Sequence, residues 1–230
     1  MTSFSDIKGF VFDLDGVITD TARFHSLAWR KVADKVGAHW TAGLAERLKG
    51  ISRMESLDII LQAAGKQDAY TEDEKVALAT SKNAEYLRLV DTLTPDDILP
   101  GIADLVQSLD DGGYKLAIAS ASKNAPRVLQ NLGISQYFPN IVDPSTLKHG
   151  KPDPEIFIKA AESIGLKPEQ CVGVEDAAAG VQGIKAAGEV AVGIGDADVL
   201  KQADMVFPST AELTLSNVKA HMDKDVSAVK

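Results

Sequence analysis

Between two short apolar runs, Gly9–Phe12 and Lys115–Ala119, the chain carries helical patterning and no convincing strand, from about Thr21 to Leu93. This gap constrains the fold more than any other feature. Roughly 75 helical residues after a first strand are too many for a crossover connection, so they read as a small all-helical unit inserted into a larger domain. Within it, Phe24, Leu27, Ala28, Val32 and Val36 mark one apolar stripe, ended by Gly37. Ser52 is a candidate cap for a helix containing Leu57, Ile60 and Leu61, and Thr71 with Glu74 makes a capping box for a third.

Outside the insertion, Cys171–Val174 and Val190–Ile194 repeat the strand signal, and Asp204–Phe207 is a weaker fifth run. None alternates cleanly, which indicates strands buried on both faces, as in a parallel sheet covered by helices. Helices with legible ends lie between them. Pro100-Gly101 opens one and Gly112-Gly113 closes it; Asp153 caps another with Pro154 at its first position. Asp176 caps Ala177–Ala187, which Gly188 terminates. The expected fold is α/β: a doubly wound, Rossmann-like parallel-sheet core with an inserted α-helical cap. Residues 1–19 and 95–230 form the core and 20–94 the cap, joined by crossings near Val17–Asp20 and Thr94–Leu99. Ser216–Lys230 is polar and is expected to fray.

The 230 residues carry 24 basic against 33 acidic side chains, a net charge of −9, which argues against nonspecific nucleic-acid binding. An anionic ligand would need basic residues concentrated at its own site. No apolar run approaches the ~20 residues of a membrane span, and Met1–Gly9 lacks a leader pattern. The single cysteine, Cys171, cannot form an internal disulfide and reads as a core residue. A cytoplasmic protein with no membrane or nucleic-acid partner is expected.

Chemistry-bearing residues follow the strands. Asp13 and Asp15 come directly after Gly9–Phe12, where ligands of parallel sheets bind. Taken alone, Asp13-Leu14-Asp15-Gly16 is equally a turn with a local cap. Glu175-Asp176 follows Cys171–Val174, and two acidic clusters at the ends of parallel strands would repel unless a cation lay between them. Hard carboxylate oxygens suit Mg²⁺. Ser120-Ala121-Ser122-Lys123-Asn124 opens a helix after Lys115–Ala119: either simple N-capping or a phosphate cradle. Lys151, before Pro152-Asp153-Pro154, is either a surface lysine or one aimed at a phosphoryl group.

In order, Asp13-Leu14-Asp15-Gly16-Val17, Ser120, Lys151-Pro152 and Glu175-Asp176 resemble the four motifs of the haloacid dehalogenase superfamily, over essentially the whole chain. Within it the sequence resembles the β-phosphoglucomutases. Asp13 through Ala22, His25, Trp29, Lys49-Gly50-Ile51-Ser52-Arg53, Lys82-Asn83, Ser120–Asn124 and Lys151-Pro152-Asp153 carry that likeness. Ala177 and Met54 depart from it, standing where many relatives have serine and an acidic residue. The resemblance implies Asp13 as nucleophile, Asp15 as general acid/base, and Mg²⁺ on Asp13, the Asp15 carbonyl and Asp176, with Glu175 nearby. It further implies Lys151 and Ser120 on the transferring phosphate. Arg53 with the Ser122, Lys123 and Asn124 segment would hold the distal phosphate, with Ala121 and Gly50 also in the substrate site. Thr21, His25 and Lys82 would set the hinge, contact the sugar or position Asp15. The expected partners are sugar phosphates, with β-glucose 1,6-bisphosphate as intermediate and activator, and the expected state is a monomer. The competing expectations are a sugar-phosphate phosphatase of the same fold, a phosphonate hydrolase using Lys49 or Lys82, and a phospho-acceptor signalling module, which is about half this length and lacks the insertion.

Overall fold

A computed structural model describes residues 3–227. Six parallel strands form one sheet: β1 (Gly9–Phe12), β2 (Lys115–Ile118), β3 (Asn140–Ile141), β4 (Cys171–Glu175), β5 (Val190–Ile194) and β6 (Met205–Phe207), in the order β3-β2-β1-β4-β5-β6. The absence of clean alternation has the expected cause. Phe10 and Phe12 of β1, with Val172 and Val174 of β4, enter the cluster on one face; Val11 and Cys171 enter the cluster on the other. The first face is covered by α5 (Ile102–Asp111), α6 (Ala125–Asn131) and α9 (Leu215–Ser227), the second by α7 (Glu155–Ser163) and α8 (Ala178–Ala187). This is the doubly wound core.

The insertion folds as α1 (Ala22–Val36), α2 (Ala42–Arg47), α3 (Arg53–Ala63) and α4 (Glu72–Val90). Both expected capping boxes are present: Ser52 with Glu55 at α3, and Thr71 with Glu74 at α4. Trp29, Val32, Val36, Leu57, Ile60, Leu61 and Leu78 form a cluster of the cap's own. The core ends of α1 and α4 leave that cluster, however. Phe24, Ala28, Tyr86 and Val90, with Leu93 just beyond, pack into the first core cluster. The two crossings lie side by side, since Thr19 bridges Ile98 and Leu99 N–H donates to the Ile18 carbonyl (2.9 Å).

Several sequence expectations need correction. Leu27 is 51 % exposed, and Trp29 takes the buried place on α1. The stripe drawn through Leu27 is therefore offset from the buried face. Helix α7 starts one residue later than read, with Pro154 at the cap, while Asp153 accepts from Glu155 N–H (2.9 Å) just ahead of it. Ala177, not Asp176, sits at the α8 cap, because β4 runs on through Glu175. Ser122 does not cap α6; Asn124 occupies that position. The segment expected to fray is α9 up to Ser227, anchored by buried Val218 and Met222; residues 228–230 lie outside the described residues. Strand β3, two residues long, gave no sequence signal.

Candidate active site

The register of the sheet builds the site. Phe12 lies opposite both Ile118 of β2 and Val174 of β4, so these strands end at one level. The next residues, Asp13, Ala119-Ser120 and Glu175, are thereby delivered to the same edge. Asp13 N–H still pairs with the Val174 carbonyl (2.9 Å), which fixes its backbone. Lys151 arrives from the loop before α7. Its Nζ lies 2.7 Å from Asp13 Oδ1 and 2.7 Å from Glu175 Oε2, with the lysine side chain fully buried. Burial alone would lower the Lys151 ammonium, but the two carboxylates outweigh it and hold its pKa raised.

Two glycines make room for the acids. A Cβ at Gly16, whose φ is +82°, would lie 2.2 Å from the Asp176 carboxylate, and one at Gly180 on α8 would lie 2.0 Å from Glu175 Oε2. Glu175 also accepts from Ala177 N–H (3.1 Å). Oxygens of Asp13, Glu175 and Asp176 come within 4.8 Å of one another. Burial lifts Asp13 to about 6 against the pull of Lys151, and burial followed by repulsion from Asp13 lifts Glu175, as burial followed by repulsion from Glu175 lifts Asp176, each to about 7. One lysine does not neutralise this many carboxylates. A converging set of hard oxygens with excess negative charge fits a small divalent cation.

Asp15 accepts from the Thr21 hydroxyl and stands 3.6 Å from His25 Nε2. His25 Nδ1 lies 2.6 Å from Lys82 Nζ, and its ring stacks on Tyr86 at 4.0 Å. Burial and the neighbouring cations Lys82 and Arg53 keep His25 well below its usual pKa, so it is neutral. The Lys82 contact at Nδ1 governs which ring nitrogen carries the proton, and Nε2 is the nitrogen that faces Asp15. Burial and Arg53 bring Lys82 itself down to about 7, against the attraction of Asp15. Its Nζ lies over the rings of Trp29 and Tyr86, at 4.9 and 4.8 Å.

A second polar cluster faces these groups. Arg53, at the start of α3, donates to Asn83 Oδ1 (2.7 Å), and Asn124 of the core donates to the same oxygen (2.8 Å). Asn83 thus couples cap to core, a role the sequence reading did not give it although it quoted the Lys82-Asn83 pair. A cavity of about 330 Å³ lies against members of both clusters. Asp13, Asp15, His25, Gly50, Arg53, Lys82, Ala121, Ser122, Lys123 and Asp176 line it, as does Trp29. Thr21, Ser120, Lys151 and Glu175 are buried behind the wall, and Ser120 Oγ accepts from Ser122 N–H (3.1 Å). The cap loop is down on the core. A Cβ at Gly50 would sit 3.7 Å from Ala177 and 3.8 Å from Lys151. Ser52, expected at the cap of α3, holds this loop to the helix.

An acid-ended β1, a buried lysine, a paired acidic turn after β4 and a helical insertion after β1 define a phosphoryl-transfer class. Residues 7–188 match the haloacid dehalogenase-like hydrolase family, and the chain belongs to it. It is 47 % identical to β-phosphoglucomutase of Bacillus subtilis, over 91 % of this chain and 92 % of that one. A crystal structure of β-phosphoglucomutase from Clostridium difficile superposes with a TM-score of 0.93 at 45 % identity, covering 96 % of this chain and 99 % of that one. A fructose-1-phosphate phosphatase of Escherichia coli is 33 % identical over 81 % of this chain and 95 % of its own length.

Proposed function

We propose that the chain is a β-phosphoglucomutase, interconverting β-glucose 1-phosphate and β-glucose 6-phosphate through an aspartyl-phosphate enzyme and β-glucose 1,6-bisphosphate. The observation that carries this reading is that two separate groups suited to an anion meet the cavity: Lys151 behind Asp13, which lines it, and Arg53, which also lines it and is bonded to Asn83 beside Asn124. A simple phosphatase needs the first group; a bisphosphate intermediate needs both.

Asp13 carries the phosphoryl group on its carboxylate. Lys151 and Ser120 hold the oxygens of that group, and Lys151 stays charged while its two carboxylate partners compete for it. The C6 hydroxyl of β-glucose 1-phosphate attacks phosphorus, Asp15 takes its proton, and the P–O bond to Asp13 breaks. The bisphosphate then presents its other end. Asp13 attacks the C1 phosphate, and Asp15 returns its proton to the departing C1 oxygen. Arg53, Lys123, Ser122 and Asn124 bind whichever phosphate is not reacting, a guanidinium being suited to bidentate phosphate contact. Thr21, His25 and Lys82 orient Asp15 between the two uses of its proton. Asp13, the Asp15 carbonyl and Asp176 would hold Mg²⁺, with Glu175 behind them, and the bound ion would neutralise charge on the transferring group.

The test is a product assay on β-glucose 1-phosphate with Mg²⁺ and a trace of β-glucose 1,6-bisphosphate. Glucose 6-phosphate should accumulate with little inorganic phosphate, and the α-anomer should be a poor substrate. Stoichiometric inorganic phosphate without glucose 6-phosphate overturns the mutase and leaves a phosphatase.

A further inference from the structure

Arg53 is the first residue of α3 and is half-buried. Both facts work against a cation, since burial lowers its pKa and the start of a helix is the positive end of its dipole. Among the described residues it nevertheless pairs with no carboxylate. Its guanidinium donates to a neutral oxygen, Asn83 Oδ1 (2.7 Å), and that oxygen also accepts from Asn124 Nδ2 (2.8 Å). The shared oxygen belongs to a longer seam, in which α4 lies along α6. Arg127 pairs with Asp91 (2.7 Å), and Asn131 Nδ2 donates to the Val90 carbonyl (2.9 Å). These last two contacts lie where α4 rejoins the core, and Asn83 lies about 10 Å further out along the helix. A cap that swings on its crossings therefore parts Asn83 from Asn124 first.

We infer that Asn83 is a positioning residue: its amide oxygen aims the Arg53 guanidinium when the cap is down on α6 and, being neutral, leaves the charge of Arg53 available to the distal phosphate. This rests on the distal-phosphate role given to Arg53 above. Arg53 lines the cavity and Asn83 does not, so the amide acts behind the guanidinium rather than on the sugar. A carboxylate in its place would accept from the same two donors, and more strongly. It would also cancel the charge that has to bind a dianion, and would stand close to that dianion itself. Neutrality matters again between the two transfers. The bisphosphate exchanges ends, so the distal site is emptied and refilled within one turnover. Arg53 then returns to a partner that a phosphate oxygen outcompetes, whereas an ion pair would retain it. Asn124 adds a dependence on closure, because lifting the cap removes one of the two donors that fix the Asn83 amide.

Asn83→Asp and Asn83→Ala, compared with each other, test this. The KM for β-glucose 1-phosphate should rise about tenfold to a hundredfold in Asn83→Asp, the worth of a charged contact. In Asn83→Ala it should rise only several-fold, because Arg53 loses its aim and keeps its charge. Phosphorylation of Asp13 by acetyl phosphate, which has no distal phosphate, should stay within about twofold of the parent in both. The melting temperature of Asn83→Asp should hold or rise, since both donors keep an acceptor. A merely structural tie between cap and core gives the opposite order, with Asn83→Asp near the parent and Asn83→Ala the more damaged. That order, or equal slowing of the acetyl phosphate reaction, would overturn the proposal. The parent enzyme run alongside separates the two readings: if it makes no glucose 6-phosphate, the mutase assignment fails; if it does and Asn83→Asp matches it, only this inference fails.

Discussion

Asp13, Asp15, Glu175 and Asp176 share one strand-end cluster with buried Lys151, and buried Lys82 also attracts Asp15, so each is held by what surrounds it. Asp13→Asn should abolish turnover and leave no phosphoenzyme, checked by intact mass after incubation with a phosphodonor; measurable phosphoenzyme would remove Asp13 from its role. Gly180 gives a sharper case. Inside an exposed helix, Gly→Ala gains about 1 kcal/mol. Here the added methyl would meet Glu175 Oε2 at 2.0 Å, and overpacking of that kind costs about 1–3 kcal/mol. The second effect wins. Gly180→Ala should lower the melting temperature and weaken activity by turning Glu175 away from Lys151. A more stable, fully active variant would show that Glu175 has room to move. The acidic pairs themselves were legible in the sequence because each directly follows an apolar run. Gly16 and Gly180 were not legible as spacers, since only the folded chain shows which carboxylate each one clears.

At the scale of elements, the insertion was legible because its helices carry explicit end signals: Ser52 with Glu55 and Thr71 with Glu74 form the boxes that their spacing predicts. The face of α1 was less legible. Counting from Phe24 puts Leu27 in the stripe, yet the helix turns Trp29 inward, against both the cap cluster and the cavity. An apolar residue at a boundary position looks the same in sequence whether it faces the core or water. Leu27→Ala should therefore change stability by no more than about 0.5 kcal/mol, whereas Trp29→Ala should cost about 3–5 kcal/mol. Paired denaturation curves decide it, and similar midpoints for the two variants would contradict the packing described. Strand β3 and the bridging role of Asn83 escaped for a related reason: two residues hold no period, and a lone asparagine acquires its function only from Arg53 and Asn124, distant in the chain.

For the molecule as a whole, the buried acids make stability depend on pH. Glu189, between α8 and β5, is 3 % exposed, neither of its oxygens is paired, and burial pushes its pKa well above 4.5. A carboxyl whose folded pKa is raised binds more protons folded than unfolded, so stability falls as pH climbs from the unfolded value toward the folded one. Asp13, Glu175 and Asp176, raised to between about 6 and 7, act in the same direction from roughly pH 4 to pH 7. In chelator, the melting temperature should drop across that window. Excess Mg²⁺ should restore the share belonging to the site, by binding only the folded state. Glu189→Gln should remove a further share that Mg²⁺ does not touch. A flat profile in chelator would mean that these acids are hydrated. The paired crossings carry a different consequence. Because Thr19 and Ile98 are bridged, the chain leaves the core and re-enters it at one point. Topologically the whole cap is a decoration on a single loop, exchangeable without re-threading a strand. A lineage can thus trade one lid for another and keep its reactive carboxylates. The seam that any new lid must match is apolar at Phe24, Ala28, Tyr86, Val90 and Leu93, and polar where Asn83 meets Asn124 and Asp91 meets Arg127.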